Sequence, residues 1–220
     1  ADVGGDSSAV QGELKDQVVQ LIFSTDCAFA AVLGDGHRVV TWGHARNGGD
    51  SRAVQGELKD QVVQQLCSTS HAFAAVLENG HRVVTWGAAA SGGDSAEVQF
   101  ELKDQVVEQI YSTSRAFAVV LGNSRVVTWG HADHGGDSSA VQGDLKDQVV
   151  QQICSTDYAF AALLANGRVV TWGHVGSGGD SSAVQGQLKD QVVQHIYSTA
   201  YAFAAVLGNG RVVTWGNADR

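Results

Sequence analysis

Histidine is the side chain best suited to proton transfer and metal ligation near neutral pH, and this chain carries eight. Three of them, His44, His131 and His174, follow a Trp-Gly pair at one equivalent position. A zinc centre needs its ligands about 2 Å from a single ion. Residues that recur once in each repeated unit sit on separate units, so this spacing predicts no metal centre and no cofactor. His37 and His81 flank a predicted hairpin turn and read as exposed polar residues. Gly-Gly-Asp triplets end at Asp6, Asp50, Asp94, Asp137 and Asp180. Clustered carboxylates would suit calcium, but calcium-binding nonapeptide arrays bring one Asp about every nine residues. An Asp placed before Ser-Ser-Ala is instead predicted to cap a helix or turn, and Lys15-Asp16 with its equivalents to form a solvated turn.

Nucleophilic chemistry finds no footing. The chain has no Gly-x-Ser-x-Gly, no phosphate-binding Gly-Lys-Ser, no dinucleotide fingerprint and no His-Glu-x-x-His. The expectation is a protein that is not an enzyme, unless loops of different units converge. Of the three cysteines, Cys67 and Cys154 share a strand position with Phe23, Tyr111 and Tyr197 and read as packing residues. They belong to non-adjacent units, farther apart than the roughly 7 Å that a disulfide spans between α-carbons. With Cys27, the odd count points to a reduced, intracellular compartment. Indole faces suit sugars and cations. Yet Trp42, Trp86, Trp129, Trp172 and Trp215 each share a strand phase with a Val two residues earlier, so packing is the expected role. Phe29, Phe73, Phe117, Phe160 and Phe203 receive the same assignment.

The elements that must position these residues are set by a repeat. The tryptophans are separated by 44, 43, 43 and 43 residues, each within Arg-Val-Val-Thr-Trp-Gly. Five copies, at approximately 4–47, 48–91, 92–134, 135–177 and 178–220, fill the chain as one predicted domain over 1–220. Each copy holds three short segments rich in Val, Ile, Thr and aromatics, separated by turn residues, which predicts three antiparallel strands. In the first copy these are Gln17 to Thr25, Ala28 to Leu33 and Arg38 to Gly43. The small side chains of the second suit close approach of neighbouring backbones. Asp35-Gly36, Asn79-Gly80, Asn166-Gly167 and Asn209-Gly210 are hairpin signals; the third copy has Asn123-Ser124 and is one residue shorter. Ser7 to Lys15 predicts a short helix, with Val10 and Leu14 on one face, despite Gly12 and its counterparts. An irregular outer strand is the competing assignment.

Such a unit cannot bury both faces alone, so the copies must pack on one another. A repeat of this length with hairpins predicts a mainly β fold, a five-bladed β-propeller of about 44-residue repeats. Closure of the ring would set Ser7 to Lys15 beside Arg211 to Gly216.

Length and composition agree with this. The chain has 220 residues, 44% hydrophobic and 17% charged, with 27 Gly, no Pro and no Met. That excludes a disulfide-stapled miniprotein and a polar disordered chain. No window reaches the roughly 18 apolar residues of a membrane-spanning helix, so no membrane insertion is expected. A formal charge of -9 with no Lys/Arg run disfavours nucleic acid as a partner. A start at Ala without any Met suggests a processed product or a segment of a longer chain.

Val-Val-Thr-Trp-Gly, the following Gly-Gly-Asp, Val-Val-Gln-Gln-Ile and Ala-Phe-Ala-Ala-Val-Leu-x-x-Gly together resemble a shortened form of the regulator of chromosome condensation repeat. The resemblance covers all five copies. That family usually carries seven longer repeats with Pro and an added Gly-Gln-Leu-Gly stretch, none of which appears here. The resemblance implies a propeller that binds protein without naming the partner.

Two sets of positions vary on this repeated framework. After Ser-Thr come Asp26-Cys27, Ser70-His71, Ser114-Arg115, Asp157-Tyr158 and Ala200-Tyr201; after Trp-Gly come His44 to Asn47 and their counterparts through Asn217 to Arg220. They are predicted loop positions at blade rims, with His71, Arg115, Tyr158, Tyr201, His44, His131 and His174 as candidate partner-binding residues. Loop drift on an unselected surface is the competing reading. The leading functional expectation is a non-enzymatic protein-interaction platform. A multivalent lectin-like propeller binding glycans through five similar pockets, or a structural segment of a longer array or assembly, are the alternatives.

Overall fold

The computed structural model describes residues 3–34, 36–189 and 191–219. The expectations at Asp35, Asp190 and Arg220, and for the side chain of Asn79, fall outside what it describes. Every copy forms one three-stranded antiparallel meander. The first blade comprises β1 (Val19–Ser24), β2 (Ala28–Leu33) and β3 (Arg38–Gly43). The second holds β4 (Val63–Ser68), β5 (Ala72–Leu77) and β6 (Val83–Gly87), and the third β7 (Val107–Ser112), β8 (Ala116–Leu121) and β9 (Val126–Gly130). The fourth holds β10 (Val150–Ser155), β11 (Ala159–Leu164) and β12 (Val169–Gly173), and the fifth β13 (Val193–Ser198), β14 (Ala202–Leu207) and β15 (Val212–Gly216). These are the five blades of a β-propeller. The first strand of each pairs with the second through a register shift, recurring from Val19/Leu21 to Val193/His195. Such a bulge bends a strand and increases its twist.

The first strands lie innermost and are tied across blades by side chains. The Gln65 amide donates to the Glu108 carbonyl at 2.8 Å and accepts from the Ile110 N–H at 3.3 Å. Gln152 does the same to Ile196 at 2.9 and 3.1 Å. The middle strand explains its alanines. Ala72, Ala74 and Val76 on one face of β5, with Val83, meet Leu102, Val107, Ile110, Phe117 and Trp129 of the next blade. The same junction of a small-residue face against a large-residue face is made by blades one and two, three and four, and four and five. Within each blade the Phe and Trp rings stack with centroids 5.2 to 5.4 Å apart. Trp86, Trp129, Trp172 and Trp215 are buried, while Trp42 is half-buried. Their indole N–H groups donate to the first glycine carbonyl of the Gly-Gly turn, from Gly4 for Trp42 to Gly178 for Trp215.

The segment before each first strand is helical, not an outer strand: a 3-10 turn, Ser8–Val10 in the first copy, runs into one α-turn. These turns are α1 (Gln11–Leu14), α2 (Gln55–Leu58), α3 (Gln99–Leu102), α4 (Gln142–Leu145) and α5 (Gln185–Leu188). The Gly-Gly-Asp carboxylates serve the predicted purpose, accepting the N–H two residues on at 2.8 to 3.0 Å. That bond is the main cause of the lowered pKa of Asp6, Asp137 and Asp180. Arg52 draws the Asp50 carboxyl down to about 2. The helical turn also clasps the preceding blade. Thr128 Oγ1 lies 2.9 Å from Ser138 Oγ, and the Gln142 amide donates to the Val126 carbonyl at 3.0 Å.

The expected closure between the chain ends is not formed. Among the described residues Ser7 to Lys15 does not pack beside β15: Val212 and Thr214 are exposed, and the Gln11 amide donates to Ser7 Oγ of its own turn, at 2.8 Å.

Candidate interaction surface at the loop rim

Both variable sets emerge at the same rim, and backbone hydrogen bonds join them. The residue after Trp-Gly donates its N–H to the carbonyl of the second variable residue after Ser-Thr. The pairs are His44 to Cys27, Ala88 to His71, His131 to Arg115, His174 to Tyr158 and Asn217 to Tyr201, at 2.8 to 3.0 Å. The Thr of each Ser-Thr pair reinforces the link in the first four blades. Thr113 Oγ1 accepts the Ala116 N–H at 3.0 Å and donates to the His134 carbonyl at 2.9 Å; Thr25, Thr69 and Thr156 donate likewise to Asn47, Ser91 and Ser177. The framework is thus rigid where the side chains change, which is what a binding surface requires.

A backbone ladder runs blade to blade along this rim. The N–H of Asp26 donates to Ser70, Ser70 to Ser114, Ser114 to Asp157, and Asp157 to Ala200, at 2.9 to 3.0 Å. It holds the variable residues of neighbouring blades in register. Beside it lies a depression of about 350 Å³ lined by the Ser-Thr pairs of the first four blades, with Asp26 and Asp157.

Four candidate residues come together on the third, fourth and fifth blades. Tyr158 is the hub: its ring lies 5.7 Å from Tyr201, 6.1 Å from His174 and 4.6 Å from His134. His131 meets His134 edge-on at 4.8 Å. His134 was not singled out by position. Its counterparts are Asn47, Ser91 and Ser177, and the only available signal was its place within the variable stretch after Trp-Gly. Its Nδ1 lies 3.2 Å from the Asp157 carbonyl and 3.1 Å from Ser114 Oγ. Ser114 Oγ itself donates to the same Asp157 carbonyl, so the three groups form one small polar cluster. Burial, more than any other influence, lowers the His134 pKa; the nearby His131 and Arg115 act in the same direction, and the bond to Asp157 opposes them.

Arg115 therefore belongs to this neighbourhood through its charge. His71 and His44, on the second and first blades, make no ring contact with the run among the described residues. The Nδ1 atoms of His44, His71 and His131 are buried without a hydrogen-bond partner there. No group of three metal-binding side chains gathers among the described residues. Cys27, Cys67 and Cys154 are free thiols. Burial pushes the Cys67 and Cys154 thiols above their ordinary pKa, which suits packing rather than nucleophilic use.

No family model and no curated protein sequence matches this chain. Solved propellers do match it in fold. The ectodomain of the receptor kinase CR4 of Physcomitrella patens is 14% identical, with a TM-score of 0.56 over 93% of this chain and 52% of that one. The CRINKLY WD40 ectodomain of the Arabidopsis thaliana receptor kinase ACR4 is also 14% identical, with a TM-score of 0.55 over 92% and 65%. Prp20p of Saccharomyces cerevisiae, described with its binding to Gsp1p and histones, is 15% identical, with a TM-score of 0.56 over 96% and 59%. The chain thus spans between half and two-thirds of the length of these proteins. The architecture of the regulator of chromosome condensation propeller, to which the repeat bears its resemblance, is among those it shares.

Proposed function

We propose that this propeller is a non-enzymatic platform that binds a protein partner through the aromatic and cationic run Arg115, His131, His134, Tyr158, His174 and Tyr201. The observation that carries the reading is the convergence of independently varying positions of three blades on Tyr158, at ring distances of 4.6 to 6.1 Å. Tyrosine and arginine are over-represented among residues that dominate binding energy at interfaces. Solved neighbours supply precedent: Prp20p binds Gsp1p and histones, and yeast RCC1 is seen bound to Kap60. His71 and His44 belong to the same rim at its periphery.

The packing of the tryptophans argues against five equivalent glycan platforms. Four indoles are buried beneath the Gly-Gly turns, and the rim side chains differ from blade to blade. The decisive experiment is affinity capture from the native source with the wild-type chain, compared with Tyr158→Ala/Tyr201→Ala and with Arg115→Ala. A prey retained by the wild type and lost from the variants supports the assignment. Identical prey on all three would remove this face from consideration.

A further inference from the structure

The two ends of the blade array expose the two halves of one interface. At every internal junction the small-residue face of one blade covers the large-residue face of the next. Among the described residues nothing packs on the large-residue face of the first blade: Ile22 is 55% exposed, whereas the equivalent Ile110, Ile153 and Ile196 are 8%, 4% and 0%. Among the described residues nothing packs on the small-residue face of the fifth blade: Val212 is 58% exposed, against 2% for Val83 and Val126. Val19, paired with Leu33 on the same face as Ile22, enlarges the first patch, while Ala202, Ala204 and Val206 of β14 form the second.

We propose that a second copy of this chain covers these faces, the first blade of one molecule seating on the fifth blade of another. The occupant is identified by complementarity already present in the molecule. Shape, apolar pattern and hydrogen-bond register of the missing contact are those of a junction that the chain makes four times. Thr214 is placed to meet Ser7 of the second copy as Thr128 meets Ser138, and the Val212 carbonyl to meet its Gln11 as Val126 meets Gln142. The rim ladder extends in the same sense. It stops at Ala200 among the described residues, whose N–H would donate to the Asp26 carbonyl of the neighbouring molecule. Each chain offers one face of each kind, so the contact is heterologous and propagates unless its rotation closes a ring. A foreign partner would have to reproduce one of these blade faces; a second copy already carries it.

The test uses the 220-residue chain in sedimentation velocity over a micromolar concentration series. The wild type is expected to reach masses of two chains and above. Ile22→Glu and Val212→Glu alter side chains that are exposed in a single chain, so both should fold, as circular dichroism would verify. Each should weaken self-association at least tenfold. Mixed together, they should form a species of two chains and no more, because only the first blade of the Val212→Glu chain and the fifth blade of the Ile22→Glu chain remain able to dock. A wild type that stays at one chain mass throughout the series would overturn the proposal. So would unchanged association of either variant alone.

Discussion

Tyr158 of the fourth blade stacks on Tyr201 of the fifth, with ring centroids 5.7 Å apart and planes 21° from parallel. The two occupy the same position of successive repeats. Their contact therefore follows from the junction between blades, which carries equivalent positions from one blade to the next along the rim. Both rings are half-buried, so Tyr201→Ala is expected to cost about 1 kcal/mol, the scale of an aromatic pair beyond its burial. Chemical denaturation would check this. A small cost also means that a partner lost in the capture experiment is lost from the surface, not through unfolding.

Two glycines of the same repeat should respond oppositely to alanine. Gly135 has φ +91°, and a Cβ there would stand 2.6 Å from Phe160 Cδ2. Gly135→Ala is expected to destabilise by more than about 2 kcal/mol, combining overpacking with left-handed strain. Gly143 lies within α4 with nothing within 4 Å of its Cβ position, so Gly143→Ala should stabilise by about 0.5 to 1 kcal/mol. Urea midpoints of the two variants test both signs.

The Phe–Trp stacks should contribute unequally along the array. Phe117 is fully buried between blades, and its truncation to Ala is expected to cost about 3–5 kcal/mol. Phe29 belongs to the uncovered first blade and is only half-buried, so Phe29→Ala should cost about half as much. Equal losses in guanidinium unfolding would show that the first blade is covered in solution, which bears directly on head-to-tail docking.

His134 should make stability depend on acidity. Burial places its folded pKa below the ordinary value of about 6.5. Between those two values the unfolded chain binds the additional proton, so stability is full above about 6.5 and falls as pH drops towards the folded pKa. His134→Asn, the side chain at the equivalent Asn47, is expected to remove that part of the slope. Melting temperatures measured from about pH 8 to 5 would reveal it; an unaltered profile in the variant would contradict the assignment.

The four Arg–carboxylate pairs that link an α-turn to its own third strand, such as Arg125–Glu101 at 2.6 Å, are half-exposed and should matter little. Glu101→Gln is expected to cost at most about 0.5 kcal/mol, and less at high salt. Thermal melts at two salt concentrations suffice to measure it.

Much of this architecture was legible in one dimension. The period of the tryptophans, the alternation in the Val-Val-Thr-Trp strands and the Asn-Gly turns dictate hairpins, because they act between residues close in the chain. The alanines of the middle strands announced close packing, and Asp before Ser-Ser-Ala announced its cap. Nothing local specified the junctions between blades, where Ala72, Ala74 and Val76 meet Phe117 and Trp129 across separate repeats. In the structure Ile22 of the first blade and Val212 of the fifth stay exposed, contrary to the closure expected from phasing alone. Packing across repeats also decided which variable loops meet: His134 joins Tyr158 through space, over a sequence separation that its own loop does not encode. Local periodicity determined the blades of this protein; the summed geometry of their junctions, a property of packed surfaces rather than of any segment, decided its open faces and its rim.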